Sequence, residues 1–171
     1  MALDIQNVFT NTHESLEDLS FSKPVMLVFL RHFGCIFCRE ALDDISDKQY
    51  KIKDKNIDLV FVHMSANDIA EKFFSEYNFK DVKHISDPNC QLYAQFGLTK
   101  GNFGQLFGLS VWIRGFELKK KGIGYSKDQI GDSFQMPGIF VLKEGKIVNS
   151  YIHKTISDKP DYDTMIEACN P

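Results

Sequence analysis

The sequence has few cysteines, no long apolar run and no excess of charge of either sign. Its four cysteines, at positions 35, 38, 90 and 169, are too few and too unevenly spaced for the disulfide framework of a secreted protein. The longest apolar run, Val25–Leu30, is far shorter than a membrane span, and Met1–Ile5 lacks the basic start and apolar core of a signal peptide. We therefore expect a cytoplasmic protein with no membrane-spanning segment.

The charge balance indicates no polyanionic partner. The net charge is -3, and the only cationic run, Lys119–Lys121, is interpreted as a solvated loop or helix end. We therefore expect no nucleic-acid partner and no membrane partner. The glycines form no GxxxxGK[ST] and no GxGxxG after a strand, so no phosphate-bearing cofactor is expected either. No internal repeat or low-complexity linker interrupts the chain, and residues 1–171 are predicted to form one domain.

Apolar patterning predicts an α/β fold. Val25–Leu30 is a continuous apolar run that indicates a buried central strand. Residues 35–53 carry apolar side chains at three- and four-residue steps and are predicted to form one amphipathic helix. Ile57–Met64 is a second buried strand, and a further helix follows it. This alternation predicts right-handed crossovers between parallel strands.

The last third of the chain has a different pattern. Residues 138–142 and 146–151 flank Lys143–Gly145 and predict a hairpin, after which Asp158–Asp161 opens a terminal helix. Residues 98–136 are rich in glycine and are interpreted as an insertion, part helix and part loop, before this hairpin. The predicted architecture is a central mixed sheet flanked by helices, with that insertion.

The pair Cys35 and Cys38 carries the chemistry because it follows a buried strand and opens a long helix. Free backbone N–H groups and the helix dipole favour an anion there and lower the pKa of Cys35. The two positions lie one helical turn apart, so a disulfide between them closes without large backbone movement. Cys35 is predicted to be exposed and attacking, and Cys38 to be the resolving thiol.

Three basic side chains flank the pair. Arg31, His32 and Arg39 are each positioned to stabilise a thiolate on Cys35. The alternatives are ordinary: Arg39 pairs with an acidic neighbour on the helix surface, and Arg31 is a solvated end of the strand.

Outside the pair, one proline and two cysteines are candidates for a role in the site. Pro137 heads the hairpin strand, and in a strand–helix sheet with a CxxC pair this is the expected place for a cis peptide bond facing the cysteines. Cys90 is interpreted as a half-buried small hydrophobic residue. Cys169 is placed in a C-terminal tail, too loosely held for a resolving role.

Three segments carry a family resemblance that spans roughly residues 20–167. Residues 29–40, Phe-Leu-Arg-His-Phe-Gly-Cys-Ile-Phe-Cys-Arg-Glu, are similar to the peroxiredoxin-like, selenoprotein-L-like branch of the alkyl hydroperoxide reductase/thiol-specific antioxidant family. Ile85–Gly97 resembles the peroxiredoxin segment before its final half, and Pro137–Val148 resembles the shared proline and hairpin. The resemblance implies a thioredoxin-like fold and thiol-dependent reduction of a peroxide or disulfide, with Cys35 attacking.

The chain also departs from the family patterns. The usual peroxidatic signature has a proline seven residues before the cysteine and Thr or Ser three residues before it, where this chain has Val28 and His32. The hydroxyl that orients a peroxide is therefore missing. The thioredoxin pattern Trp-Cys-Gly-Pro-Cys is altered as well. Arg114, the only arginine outside the motif, is either a peroxide-binding arginine or a surface cation.

Several functions remain open from the sequence. The first is a redox enzyme that reduces a peroxide or a disulfide and is recycled by a thioredoxin- or glutathione-type reductant. Within it, peroxidase and general thiol-disulfide oxidoreductase are not separated, and a homodimer is compatible with either. The other class is a CxxC metal-binding module, but four-coordinate zinc needs two further ligands, and only His32 is available nearby.

Overall fold

A computed structural model of the chain describes residues 3–124 and 131–170. Within these ranges the elements, in chain order, are α1 (Leu16–Ser22), β1 (Val25–Phe29), α2 (Ile36–Ser46), α3 (Gln49–Asp54), β2 (Asp58–His63), α4 (Asn67–Glu76), β3 (Lys83–Ser86), α5 (Gln91–Gln95), α6 (Phe103–Phe107), α7 (Leu109–Lys120), β4 (Gly138–Lys143), β5 (Lys146–Ile152) and α8 (Tyr162–Cys169).

The strands form one mixed sheet in the order β3-β2-β1-β4-β5. β1 is parallel to β2, and β2 to β3, whereas β4 is antiparallel to both β1 and β5. The predicted mixed sheet is confirmed. β1 is central and buried on both faces: Met26 and Val28 pack into one hydrophobic cluster with α2, α4 and α8, while Leu27 and Phe29 pack into a second cluster with α1 and α5.

The single helix predicted over residues 35–53 is two helices. α2 ends at Ser46, and Lys48, with φ -102° and ψ 3°, donates its N–H to the carbonyl of Ile45 three residues back. This tight turn ends α2 and starts α3 in a direction that buries Ile52 and leaves Tyr50 exposed.

The hairpin is confirmed, and its two turn residues both have positive φ, 51° at Glu144 and 71° at Gly145. After it, Asp161 caps α8 by accepting the N–H groups of Asp163 and Thr164. α8 packs on the sheet, and Cys169 in its last turn is fully buried. The placement of Cys169 in a loose tail is therefore wrong, because the terminal helix completes one of the hydrophobic clusters.

Residues 98–136 contain α6 and α7, and the part of this segment at 125–130 lies outside the described residues. α7 runs alongside α2 and contacts α6, and Val111 and Leu118 of α7, with Leu106 of α6, form a third hydrophobic cluster with Cys35 and Cys38. The Lys119–Lys121 run is at the end of α7 and exposed, as predicted. Among the described ranges, no helix has the length and apolarity needed to cross a membrane.

Candidate active site

The cysteine pair sits where the central strand gives way to a helix. After β1, the N–H of Leu30 donates to the carbonyl of Val62 and extends the strand pairing by one residue. The chain then turns, with the N–H of Cys35 donating to the carbonyl of His32 at 3.0 Å. Cys35 is the N-cap residue of α2, with extended backbone angles of φ -76° and ψ 125°. Its sulfur therefore faces the unpaired amides of the first helical turn.

Arg31 contacts both sulfurs with different parts of the residue. Its Nη1 donates to Cys35 Sγ at 3.0 Å, and its backbone N–H donates to Cys38 Sγ at 3.2 Å. Its Nη2 donates to the carbonyl of Ser133. Only 6% of Arg31 is exposed, so its interpretation as a solvated strand end is wrong. The strand is central, and its end lies under the α6–α7 segment rather than at the surface.

The surroundings of the two thiols drive their pKa values in opposite directions. The hydrogen bond from the Cys38 thiol, the charge of Arg31 and the backbone amides of Phe37 and Cys38 lower the pKa of Cys35 to about 6, against the opposing effect of burial. For Cys38, donation to Cys35, burial and repulsion from the Cys35 thiolate raise the pKa well above its ordinary value. The arrangement makes Cys35 the nucleophile and keeps Cys38 protonated beside it.

Both sulfurs are buried, which corrects the prediction of an exposed Cys35. Cys35 is 3% exposed and Cys38 is 5% exposed, and both are free thiols. The reason is the α6–α7 segment, which folds over the start of α2. Between the two lies a cleft of about 490 Å³ that ends at Cys35; its lining includes Arg31, His32, Phe37, Phe107, Trp112, Phe116 and Lys119. A small molecule in this cleft reaches Cys35 along mainly apolar walls.

His32 lines the same cleft but supplies no charge to it. Burial and the charge of Arg31 lower the pKa of His32 to about 4, so its imidazole is neutral at pH 7. Only 6% of the residue is exposed, and within the described part of the chain its Nδ1 has no hydrogen-bond partner. Of the basic residues predicted to stabilise a thiolate on Cys35, Arg31 is the one whose side chain donates to its sulfur.

The other two arginines point away from the sulfurs. Arg39 donates to the carbonyl of Gly124 at 3.3 Å and lies 3.7 Å from a carboxylate oxygen of Glu76. Arg114 on α7 holds both carboxylate oxygens of Glu40 on α2 at 2.8 Å. Its contact is therefore a structural ion pair between two helices, and the structure does not bring it to Cys35.

The Met136–Pro137 peptide bond is trans, and the predicted cis bond is wrong. The N–H of Met136 donates to the carbonyl of Thr99, and Gln135 pairs with Lys100, so the chain already runs extended as it enters β4. Trans is the intrinsically favoured form of such a bond, and the structure keeps it. Pro137 nevertheless lies near the pair, since it lines a cavity of about 30 Å³ together with Cys38.

The remaining cysteines lie outside the site. Cys90 is half-buried as predicted, but it precedes α5 as the N-cap residue, with its Sγ 3.4 Å from Met64 Sδ. Cys169, in the last turn of α8, lies in the core. Over residues 3–124 and 131–170, no three His, Cys, Asp or Glu side chains converge in a way that suits a metal ion, and His32 does not complete a set with the pair.

Sequence reasoning missed the cleft wall. Trp112, Phe116 and the carbonyl of Ser133 come from a segment more than 70 positions along the chain, and nothing local to the CxxC motif points to them. One signal was present: apolar residues recur at 109, 112, 113 and 116 as well as on the buried side of α7. A helix that is apolar on two sides is expected to border a cleft or a second surface.

Comparison with known proteins relates the chain to antioxidant enzymes, a thioredoxin-like protein and a prostamide/prostaglandin F synthase. The family described as "AhpC/TSA antioxidant enzyme" matches residues 44–155, a span that begins after the cysteine pair. The chain is similar to "Thioredoxin-like protein AAED1, chloroplastic" of Arabidopsis thaliana, at 26% identity over 163 residues that cover 90% of this chain and 65% of the relative. It is also similar to human prostamide/prostaglandin F synthase, at 25% identity over 158 residues that cover 90% of this chain and 79% of the relative.

A solved structure supports the fold. Peroxidoxin BcpB from Mycobacterium tuberculosis aligns with a TM-score of 0.64 and 16% identity, covering 95% of this chain and 89% of the other. The predicted thioredoxin-like fold is confirmed. The chain spans only about two thirds of the length of the Arabidopsis relative. That relative is named as chloroplastic, and the cytoplasmic location of this chain stays a prediction.

Proposed function

The chain belongs to the AhpC/TSA antioxidant enzyme family, and from this premise we propose that it reduces peroxides through a dithiol–disulfide cycle of Cys35 and Cys38. The observation that carries the proposal is the contact of the Arg31 guanidinium with Cys35 Sγ, 3.0 Å apart, at the start of α2. A guanidinium and a helix N-terminus together favour the thiolate, which is the form that attacks a peroxide.

In the first step the thiolate of Cys35 attacks one oxygen of the peroxide. The O–O bond breaks, Cys35 becomes a sulfenic acid, and the leaving oxygen takes a proton and departs as an alcohol, or as water from hydrogen peroxide. The sulfur is oxidised by two electrons and the peroxide is reduced by two. Arg31 lies beside the reacting sulfur, where its charge also stabilises negative charge that develops on the departing oxygen.

In the second step the thiol of Cys38 attacks the sulfenic sulfur. The new S–S bond replaces the S–OH bond, and the hydroxyl leaves as water with the proton of Cys38. Two electrons from a thioredoxin- or glutathione-type thiol then restore the dithiol by exchange through a mixed disulfide. In the reduced protein the backbone N–H of Arg31, 3.2 Å from Cys38 Sγ, positions this thiol beside Cys35.

The cleft favours an organic hydroperoxide as substrate. Its walls include Phe37, Phe107, Trp112 and Phe116, and its volume of about 490 Å³ accommodates far more than hydrogen peroxide. Burial of an apolar substituent against these rings adds binding energy that hydrogen peroxide does not obtain. We therefore expect a larger organic hydroperoxide to react faster than hydrogen peroxide.

A second candidate function is general thiol-disulfide exchange without peroxidase activity. It is favoured by His32, which stands where the peroxidatic signature has the hydroxyl of Thr or Ser. The same low pKa of Cys35 serves attack on a disulfide, because that reaction also needs a thiolate.

Rapid mixing with stoichiometric oxidant, followed by quenching and intact-mass analysis, separates the two candidates. For a peroxidase, cumene hydroperoxide removes two hydrogens from the reduced, metal-free protein within seconds, and peptide mapping places the bond between Cys35 and Cys38. Cys38→Ser gains one oxygen instead, which dimedone traps on Cys35. Cys35→Ser shows neither change, while Cys90→Ser, the matched control, reacts like the unaltered protein.

Two results would contradict the peroxidase proposal. One is slow oxidation by the hydroperoxide combined with rapid exchange of the same pair against oxidised glutathione, which selects the disulfide oxidoreductase. The other is undiminished reactivity of Cys35→Ser, which removes both candidates.

A further inference from the structure

α7 carries two apolar stripes rather than one. Val111 and Leu118 face inward, toward the cysteine pair. Leu109, Trp112, Ile113 and Phe116 follow the spacing i, i+3, i+4, i+7, which places them on one side of the helix. Their exposed fractions are 77%, 69%, 53% and 62%. An ordinary surface helix has polar side chains on the side turned to water.

α6 extends this exposed stripe. Phe103 and Phe107 are 74% and 56% exposed, and their ring centroids are 6.0 Å apart; the ring of Phe134 lies equally close to that of Phe103. We define the α6–α7 apolar face as the exposed side chains of Phe103, Phe107, Leu109, Trp112, Ile113 and Phe116. Contiguous exposed apolar surface of this kind is uncommon in proteins that act alone in water and marks an interaction site.

The C-terminal end of this face is basic. Lys119, Lys120 and Lys121 are exposed at the end of α7, and Lys120 Nζ lies 4.8 Å from the centroid of the Phe116 ring. The only acidic residue of α7 is Glu117, which lies 3.5 Å from the guanidinium of Arg114. Aromatic and aliphatic side chains thus meet a cluster of ammonium groups at one edge.

We propose that the α6–α7 apolar face binds the surface of an anionic membrane. Trp and Phe side chains partition into the headgroup and acyl boundary, while lysines at the edge of an apolar face pair with lipid phosphates. The expectation of no membrane partner rested on the net charge of -3 for the whole chain, which hides this local positive cluster. The proposal concerns surface binding, and it stands independently of the peroxidase reaction.

The same face forms the mouth of the cleft above Cys35. Phe107, Trp112 and Phe116 belong to the apolar face and also line the cleft, as does Lys119. On a membrane the cleft therefore opens toward the lipid rather than toward bulk water. A second copy of the chain or a protein partner on this face is the alternative that the experiment tests.

The tryptophan count makes the experiment specific. Trp112 is the only tryptophan in the chain, so tryptophan emission, excited at wavelengths that tyrosine does not absorb, reports on this face alone. On addition of phosphatidylcholine–phosphatidylserine vesicles to the full chain, we expect the emission of Trp112 to shift to shorter wavelength and the protein to sediment with the vesicles. Vesicles of phosphatidylcholine alone, or high salt, should give a much weaker response.

Two variants that retain Trp112 test the two halves of the face. Replacing Lys119, Lys120 and Lys121 with glutamine should lower vesicle partitioning about a hundredfold. The charge-matched control replaces Lys72, Lys80 and Lys146, which are exposed elsewhere, and should lower it at most threefold, roughly. Leu109→Ser/Phe116→Ser should lower it by at least about tenfold. Circular dichroism confirms that each variant is folded.

The proposal is overturned by either of two outcomes. The first is an unchanged Trp112 spectrum and no sedimentation with anionic vesicles. The second is a spectral shift that depends on protein concentration without lipid, together with a dimer in analytical ultracentrifugation that Leu109→Ser/Phe116→Ser dissociates; that result assigns the face to a second copy.

Discussion

Replacing Arg31 with glutamine tests how the low pKa of Cys35 arises. At the observed separation of 3.0 Å and an effective dielectric constant of about 20, the attraction between guanidinium and thiolate is about 5 kcal/mol. Glutamine keeps an N–H donor and admits water, so we expect a smaller net loss of about 2 pKa units. The pKa of Cys35 should then rise from about 6 to about 8.

The expected value stays below the ordinary thiol pKa of 9.0 because the largest cause of the shift, the hydrogen bond from Cys38, is retained. At pH 7 the thiolate fraction falls from about 90% to about 10%, so the reactivity of Cys35 falls about tenfold. In the unaltered protein the reactivity declines as the pH drops through about 6, because the thiolate becomes protonated. In Arg31→Gln the same decline should begin near pH 8, roughly.

The assay is the rate of Cys35 alkylation by iodoacetamide as a function of pH, followed by peptide mass spectrometry so that the other cysteines do not contribute. Arg39→Gln is the matched control, since that guanidinium contacts Gly124 and Glu76 rather than a sulfur. The reasoning would be refuted if the Arg31→Gln and unaltered profiles superimposed, or if Arg39→Gln shifted the profile as far.

Three further substitutions test the surroundings of the site. Cys169→Ala removes a buried thiol from the core, so urea denaturation should show a decrease of about 1 kcal/mol in the free energy of unfolding. Intact mass should show that the Cys35–Cys38 disulfide forms as in the unaltered protein. If that disulfide failed to form, Cys169 would have a role in the reaction. Arg114→Gln leaves Glu40 with Lys159, 3.5 Å away, as its remaining cation. In the same assay it should lower the free energy of unfolding by about 1–2 kcal/mol, and Arg114→Lys should lower it less. Equal stability of both variants and the unaltered protein would show that the ion pair contributes nothing. Asp87→Ala removes the acceptor for the first amides of α5 and should lower the free energy of unfolding by about 2 kcal/mol. Asp87→Asn keeps one side-chain oxygen and should be less destabilised. If Asp87→Asn were the less stable of the two variants, capping would be excluded as the cause.

The strand, the cysteine pair and the start of the helix that follows are local features, and sequence patterning predicted them. Val25–Leu30 indicates a buried strand because every residue in it is apolar, and β1 occupies most of that range. Cys35 precedes the helical periodicity, and it is the N-cap residue of α2. The hairpin around Gly145 could also be predicted from the local sequence, because turn residues between two apolar runs define it.

What sequence patterning did not predict depends on contacts between distant segments. Cys35 is buried because α6 and α7 fold over it. The residues around the cysteine pair do not predict where these two helices pack. Arg31 and Arg39 are equivalent in the motif, yet one guanidinium turns toward the sulfur and the other toward Glu76. The Met136–Pro137 bond has the intrinsically favoured trans form, and the expectation of a cis bond came from the fold context rather than from a local signal.

The double contact of Arg31 links the chemistry of attack to the ease of recycling. Its side chain stabilises the thiolate of Cys35, whereas its backbone N–H contacts Cys38 whatever residue occupies the position. A stabilised thiolate favours the reduced state, so it makes the disulfide a stronger oxidant. A neutral residue at position 31 therefore lowers the reduction potential of the couple, by about 30 mV at pH 7 for a tenfold change in thiolate fraction. The substitution that slows nucleophilic attack by Cys35 thereby also makes the disulfide harder for a thiol reductant to open.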